Sequence, residues 1–154
     1  MRILVAENAI ISSIMLEASL VKLGYNVVVA ENGHVAREYL VSNSAPEMAI
    51  LDWNMPGMSG LDVCRKVRNE QRNVYPYIIM ITPSPKIKDV KEAIDSGADD
   101  YIHKPYFATE LDVRIKAGMR IIRLQKELLF VKNQIEAKSL FAPLESEFLS
   151  VGNF

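Results

Sequence analysis

The stretch MAILDWNMPGMSG, residues 48–60, decides the fold. It opens with apolar residues that show no alternation, ends its apolar run at Asp52, and continues into turn chemistry at Pro56, Gly57 and Gly60. An unbroken apolar run is typical of a strand covered on both faces, as in a parallel sheet flanked by helices. The polar residue that ends such a strand lies at the sheet edge where ligands bind.

Similar apolar runs recur on either side of this stretch, at residues 3–6, 27–30, 77–81 and, more weakly, 101–102. Apolar residues with helical spacing separate them, and Gly24 and Gly97 stop two of these helices. Strand and helix thus alternate five times. This order predicts an α/β fold, a doubly wound five-stranded parallel sheet.

Each predicted helix has a stripe of apolar residues at helical spacing. The stripes, in chain order, are Ile10, Ile14, Ala18 and Val21; Val35, Ala36, Tyr39 and Leu40; Leu61, Cys64 and Val67; and Val90, Ala93 and Ile94. We expect these side chains to face the core.

The composition is that of an ordinary globular domain, with 49% hydrophobic and 24% charged residues in 154. A formal net charge of -1 gives no general basic field for nucleic acid. No run is long enough to span a membrane, and the opening residues do not resemble a signal peptide. The single cysteine, Cys64, is expected to be an inert packed thiol in a reducing compartment. We expect a cytoplasmic protein that contacts neither nucleic acid nor membrane.

The fifth helix is predicted to begin near Thr109, as its N-cap, and to run to the neighbourhood of Pro143. About 30 helical residues would span about 45 Å, more than a domain of this size covers. Its apolar residues follow the spacing of a coiled-coil seam, which predicts a homodimer. They are Ile121, Leu124, Leu128, Val131 and Ile135. The predicted organisation is a domain over 1–122, a helical extension over 123–141 and a C-terminal tail over 142–154.

Polar residues follow four of the predicted strands and therefore meet at one sheet edge. They are Glu7 and Asn8, Asp52, Thr82, and Lys104. Asp52 is suited to attack phosphorus and form an aspartyl phosphate. Mg²⁺ held by Glu7 and Asn8 would neutralise the charge repulsion between the two anions, while Lys104 pairs with a phosphoryl oxygen and Thr82 donates its hydroxyl.

Four segments resemble the response-regulator receiver domains of two-component systems, over about residues 1–122. They are ILVAEN (3–8), LDWNMPGMSG (51–60), IMIT (79–82) and GADDYIHKP (97–105). The resemblance implies a flavodoxin-like (βα)5 fold and phosphorylation of Asp52 by a histidine kinase or phosphotransfer protein.

The resemblance also implies roles for residues around Asp52. The Asn54 carbonyl would be a further Mg²⁺ ligand, Thr82 and Tyr101 would be the switch pair, and the Lys104–Pro105 bond would be cis. The face formed by the last strand and its flanking helices would carry the signal to an output domain. The receiver itself would not be an enzyme. A receiver followed by a long helix is similar to the front end of diguanylate cyclases, so such a cyclase is the output we expect outside this chain.

Two residues depart from the family pattern. Asn8 stands where an Asp usually binds Mg²⁺, and the loss of one charge should weaken metal binding. Pro83 has no N–H, whereas the family donates a backbone N–H to the phosphoryl group at that position. Two interpretations therefore remain: a working phosphoacceptor, and a degenerate receiver that acts as a phosphorylation-independent interaction module.

Two enzyme classes fit poorly. A nucleotide-binding α/β enzyme needs a glycine-rich turn after the first strand, and Glu7-Asn8-Ala9-Ile10 has none. An aspartate-nucleophile phosphatase would have two Asp residues after the first strand, where this sequence has Glu7 and Asn8.

Overall fold

The computed structural model describes residues 1–151, with side chains described as far as Phe141. Within that range five strands alternate with five helices, which confirms the predicted α/β order. The elements are β1 (Arg2–Ala6), α1 (Ile10–Lys22), β2 (Asn26–Ala30), α2 (Gly33–Val41), β3 (Met48–Asp52), α3 (Gly60–Asn69), β4 (Tyr77–Thr82), α4 (Ile87–Asp95), β5 (Asp100–His103) and α5 (Ala108–Val151).

The strands form one parallel sheet in the order β2-β1-β3-β4-β5, so the predicted doubly wound, flavodoxin-like sheet is confirmed. The strand β3 lies in the middle, paired with β1 on one side and with β4 on the other. All residues of β3 and β4 are buried, which explains why these runs show no polar alternation. The sheet therefore brings the ends of β1, β3, β4 and β5 to one edge.

Successive strand residues point to opposite faces of the sheet and feed two separate cores. Leu4, Leu51 and Met80 belong to the core that packs against α2, α3 and α4. Val5 and Ile50 belong to the core that packs against α1 and the first turns of α5. Both faces of the sheet are thus covered by helices, as the apolar runs predict.

The buried face of α1 differs from the prediction. Ser13, Leu16 and Leu20 are buried, whereas Ile10 and Ile14 are 76% and 60% exposed. Apolar residues lie all round this helix, so their spacing identifies a helix without selecting its inner face. The predicted Ala18 and Val21 are likewise exposed, as are Tyr39 on α2 and Ile94 on α4. The face predicted for α3, by contrast, is fully buried: Leu61, Cys64 and Val67.

The helix α5 begins at Ala108, so Thr109 lies in its first turn and is not its N-cap. The backbone stays helical past Pro143 to Val151, beyond the predicted end; a helix tolerates an internal proline at the expense of one hydrogen bond. Residues 152–154 of the predicted tail lie outside the described residues. Within the described residues, the chain divides between Ile122 and Arg123 into two units. In the part of the chain that the structure describes, none of the helices is both long and apolar enough to cross a membrane.

Candidate functional site

The carboxyl edge of the sheet gathers the polar residues predicted for the site. Glu7 follows β1 directly, Asp52 and Thr82 end β3 and β4, and Lys104 follows β5. Glu7, Asp52 and Thr82 are 3%, 5% and 0% exposed, so two carboxyl groups and a hydroxyl are almost removed from water. Buried carboxyl groups are rare without partners, so we expect the lysine to contact them.

Lys104 connects the two carboxyl groups. Its Nζ donates to Glu7 Oε2 and to Asp52 Oδ2, each at 2.9 Å. The Lys104 side chain is 38% exposed while those of Glu7 and Asp52 are 1% and 7% exposed, so the ammonium group lies at the mouth of the site above the carboxyl groups. The ammonium group of Lys104 therefore connects residues that are far apart in the sequence, 97 positions from Glu7 and 52 from Asp52.

Backbone groups orient the remaining carboxyl oxygens. The Ala9 N–H donates to Glu7 Oε1 at 3.1 Å, and the Asn54 N–H donates to Asp52 Oδ1 at 3.0 Å. Each carboxyl group is thus fixed by one backbone donor and by the lysine. Fixed geometry of this kind reduces the reorganisation that a reaction at Asp52 requires.

Burial raises the pKa of Glu7 above its ordinary value, and the neighbouring Asp52 raises it further despite the contact with Lys104. Burial lowers the pKa of Lys104, but its bonds to Glu7 and Asp52 outweigh that effect and raise it overall. Burial and the neighbouring Asp52 thus oppose ionisation of Glu7, while the two carboxyl groups favour the charged form of Lys104.

The residues present fit a divalent cation. Two carboxyl groups share one lysine, and hard cations such as Mg²⁺ prefer carboxylate and carbonyl oxygens. Asn8 is exposed beside Glu7 and offers an amide oxygen in place of a third carboxylate. Asn54 is also exposed; the structure shows its N–H, not its carbonyl, in contact with Asp52.

The Thr82 hydroxyl has its hydrogen-bond acceptor in the loop that follows β4. Its Oγ1 donates to the Ser84 carbonyl at 3.1 Å across Pro83. Pro83 itself is exposed. The hydroxyl is therefore already occupied, and it must leave the Ser84 carbonyl before it binds any group attached to Asp52.

Tyr101 is half-buried on β5 and packs against the core beneath α2, α3 and α4. The Arg114 guanidinium lies 5.7 Å from the centre of its ring, within the range of a cation–π contact. Arg114 also donates to Asp100 Oδ1 at 2.9 Å and to Glu110 Oε1 at 3.1 Å. The predicted switch tyrosine is thus in contact with α5.

The loop after β3 is fixed by its backbone. Trp53 donates its N–H to the Ile81 carbonyl at 3.0 Å, and its own carbonyl accepts from the Gly60 N–H at 3.0 Å. A Cβ at Gly60 would lie 2.3 Å from the Asp52 carbonyl oxygen, so only glycine allows this close approach. The indole of Trp53 is half-buried against the core. The Lys104–Pro105 peptide bond, predicted to be cis, is cis.

Sequence reasoning did not identify Ser84 or Arg114 as parts of this neighbourhood. Arg114 lies among several basic residues of α5, and its contact with Tyr101 depends on how α5 packs, which residue type does not reveal. The Ser84 carbonyl is a backbone group and leaves no trace in residue type. Two prolines around it, Pro83 and Pro85, were the available signal of an unusual loop.

Comparison with known proteins identifies one family of similar sequences. The family model "Response regulator receiver domain" matches residues 3–116. Over 106 residues the chain is 35% identical to the phosphate regulon transcriptional regulatory protein PhoB of Pseudomonas aeruginosa, covering 69% of this chain and 46% of that protein. The chain spans about half the length of the curated relatives it matches.

Two solved structures show the same fold. The receiver domain of the Francisella response regulator 1452 is 24% identical, with a TM-score of 0.70 over 77% of this chain and 96% of that one. A two-component system response regulator/GGDEF domain protein is 23% identical, with a TM-score of 0.72 over 80% of this chain and 50% of that one.

Proposed function

Because this chain belongs to the response regulator receiver family, we propose that it accepts a phosphoryl group on Asp52 from the phosphohistidine of a histidine kinase or phosphotransfer protein. The observation that carries this proposal is the pair of 2.9 Å contacts from Lys104 to Glu7 and Asp52. They place a nucleophile, an acidic neighbour and a cation at one sheet edge. A receiver is a signalling domain, and the proposal includes no turnover by this chain.

The proposed transfer forms one bond and breaks one. An oxygen of Asp52 attacks phosphorus, the P–N bond to the donor histidine breaks, and the imidazole leaves with its electron pair. Lys104 keeps its contact with Glu7 and exchanges its contact with Asp52 for one with a phosphoryl oxygen. Glu7, Asn8, Asp52 and the Asn54 carbonyl would hold Mg²⁺, which supplies charge neutralisation when bound.

The proposed switch begins at Thr82. Its hydroxyl leaves the Ser84 carbonyl and turns to the phosphoryl group, and Tyr101 moves into the space vacated. Since Arg114 lies against the Tyr101 ring, that movement would reach α5 directly. The face formed by α4, β5 and α5 would then act on the dimerising helix and on an output domain. A diguanylate cyclase is the output we propose, on the resemblance of a receiver with a long helix to those enzymes.

A groove of about 500 Å³ supports a place for the phosphodonor protein. It is lined by Met15 and Leu16 of α1, by Lys104 and Pro105, and by Leu111 of α5. Because Lys104 belongs to both the groove and the Asp52 site, a helix bound here would bring its phosphohistidine towards Asp52. We further propose that this phosphotransfer takes place in the cytoplasm.

Two observations favour a second candidate, a receiver that signals without phosphorylation. Asn8 stands in place of a carboxylate that would bind Mg²⁺. Pro83 lacks the backbone N–H that would donate a hydrogen bond to the phosphoryl group, and the Ser84 carbonyl holds the Thr82 hydroxyl. A lost charge-assisted bond would cost about 1.5–3 kcal/mol in the phosphorylated state. Such a domain would act through its contact surfaces alone.

The test is intact mass after incubation with acetyl phosphate and Mg²⁺, with Asp52→Ala as the control. We expect the native chain to gain one phosphoryl group and the control to gain none. A double variant, Asn8→Asp with Pro83→Ala, should be phosphorylated faster and bind Mg²⁺ more tightly. If the native chain stays unmodified while the double variant is modified, the second candidate is correct.

A further inference from the structure

Five apolar side chains form one stripe along α5, and all five are exposed to solvent. Ile121, Leu124, Leu128, Val131 and Ile135 are between 43% and 71% exposed. We propose that this stripe binds the same stripe of a second copy as a parallel, in-register coiled coil, aligned by Glu127 of each copy and Lys132 of the other. The inference deepens the proposed dimer, and it does not depend on phosphorylation of Asp52.

The heptad positions follow from the stripe. Ile121, Leu128 and Ile135 occupy the a positions, and Leu124 and Val131 the d positions, an arrangement suited to knobs-into-holes packing. β-branched residues at a with leucine at d favour two parallel strands, and the first heptad, Ile121 with Leu124, has this pairing. The next d position is Lys138, which limits the apolar seam to these five residues.

Charges beside the seam distinguish the two orientations. In this register Glu127 is a g residue and Lys132 the following e residue, so a parallel pair of helices places each Glu127 beside Lys132 of the other copy. Within one helix the same groups have long ion-pair contacts: Arg123 Nε lies 3.9 Å from Glu127, and Lys132 Nζ lies 3.9 Å from Glu136. Both side chains are more than 60% exposed and therefore available to a second helix.

Antiparallel arrangements match the sequence less well. The one that uses the whole stripe places Leu124 against Ile135 and Ile121 against Lys138, so a charged residue faces the apolar seam. Shifting it by one heptad either way uses fewer apolar residues and brings two Glu127 or two Lys132 side chains together. Like charges at these positions oppose pairing.

Cysteine cross-linking of the full chain distinguishes these arrangements. Leu124→Cys and Ile135→Cys variants are oxidised with copper phenanthroline, separately and as an equal mixture. Positions 124 and 135 lie about 16 Å apart along a helix, too far for a disulfide in the parallel arrangement. Burial raises the pKa of Cys64 to about 12, so the native thiol does not compete.

We expect each variant to cross-link to itself and the mixture to give no mixed product. Asn133→Cys, on the outer f position, is the matched control and should remain uncross-linked. Mixed products without self-cross-linking would overturn the parallel orientation, and no cross-linking of any variant would overturn the parallel, in-register pairing. Acetyl phosphate modification of Asp52 is measured on the same samples, so failure of this inference is separable from failure of the phosphoacceptor proposal.

Charge reversal tests the Glu127–Lys132 contact. Glu127→Lys and Lys132→Glu, each alone, should weaken self-association about tenfold, because two favourable contacts become two repulsive ones. Mixed together, the two variants should form a heterodimer, and the double variant should recover native affinity. Equal affinities for all four proteins in sedimentation at low salt would overturn the alignment.

Discussion

At the scale of single residues, Lys104 donates to two buried carboxyl groups, and the proposed transfer requires different things of them. In the proposed transfer, Asp52 would have to be available to the incoming phosphoryl group, whereas Glu7 would keep its contact with Lys104. The raised pKa of Glu7 shows that burial and the nearby Asp52 outweigh the lysine. Burial thus opposes ionisation of Glu7, whereas the contacts with Glu7 and Asp52 favour the charged form of Lys104.

This leads to a prediction for Glu7→Gln. A pKa raised in the folded state stabilises the protein below the ordinary value of 4.5, and that contribution is lost as the pH rises through the folded-state pKa. Above the folded-state pKa the native chain has lost it, while glutamine has no charge to bury and can still accept from Lys104. The variant should therefore be more stable than the native chain at pH 7, with the difference shrinking towards pH 4.

Urea denaturation at both pH values measures the effect. Glu127→Gln is the matched control, since the Glu127 side chain is 65% exposed and should change stability little. A Glu7→Gln variant that is less stable at pH 7 would show that the ion pair with Lys104 outweighs the burial of the carboxyl group.

The sequence predicted where these residues lie in the fold better than it predicted which groups they contact. Strand ends converge in a parallel sheet, so Glu7, Asp52, Thr82 and Lys104 were predictable from order alone, although their chemical roles stay predictions. The direction of the Thr82 hydroxyl was not predictable, because its acceptor is the backbone of Ser84 and depends on the conformation of a loop containing two prolines.

At the scale of elements, strands were predicted more accurately than helix faces. All five strands contain their predicted residues, because burial on both faces leaves a continuous apolar run. The helix α1 carries apolar residues on every side, and only the packing in the folded chain shows that Leu16 and Leu20 face the sheet. The exposed remainder of α1 then contributes to the groove beside Lys104.

A pair of truncations tests this assignment of faces. Leu20→Ala should lower the free energy of unfolding by about 2–5 kcal/mol, because it leaves a cavity beside the sheet. Ile14→Ala, on the exposed side, should cost less than about 1 kcal/mol. Both values come from urea denaturation at neutral pH. Equal losses would mean that the two residues are buried alike and that α1 is rotated.

At the scale of the whole molecule, the buried core is contained in residues 1–122. Both hydrophobic clusters end within that range, the last member being Ile122. The domain boundary that the sequence predicts after residue 122 stays a prediction. The course of the backbone beyond Pro143 was less predictable, since a proline opposes a helix without excluding it.

A chain ended after residue 126 should therefore fold by itself. We expect its free energy of unfolding to lie within about 1 kcal/mol of that of the whole chain at low concentration. Only the whole chain should become more stable as its concentration rises, because association stabilises the folded state by mass action. Thermal unfolding over a hundredfold concentration range measures both. A shortened chain without a cooperative transition would show that residues beyond 126 belong to the fold.

Trp53 has a consequence of a different kind. It is the single tryptophan in the sequence, it follows Asp52 directly, and its ring is half-buried against the core. Tryptophan fluorescence under selective excitation therefore comes from one position beside the proposed phosphoacceptor, Asp52. The molecule carries its own optical reporter, and binding at this edge of the sheet is open to observation in real time without any attached dye.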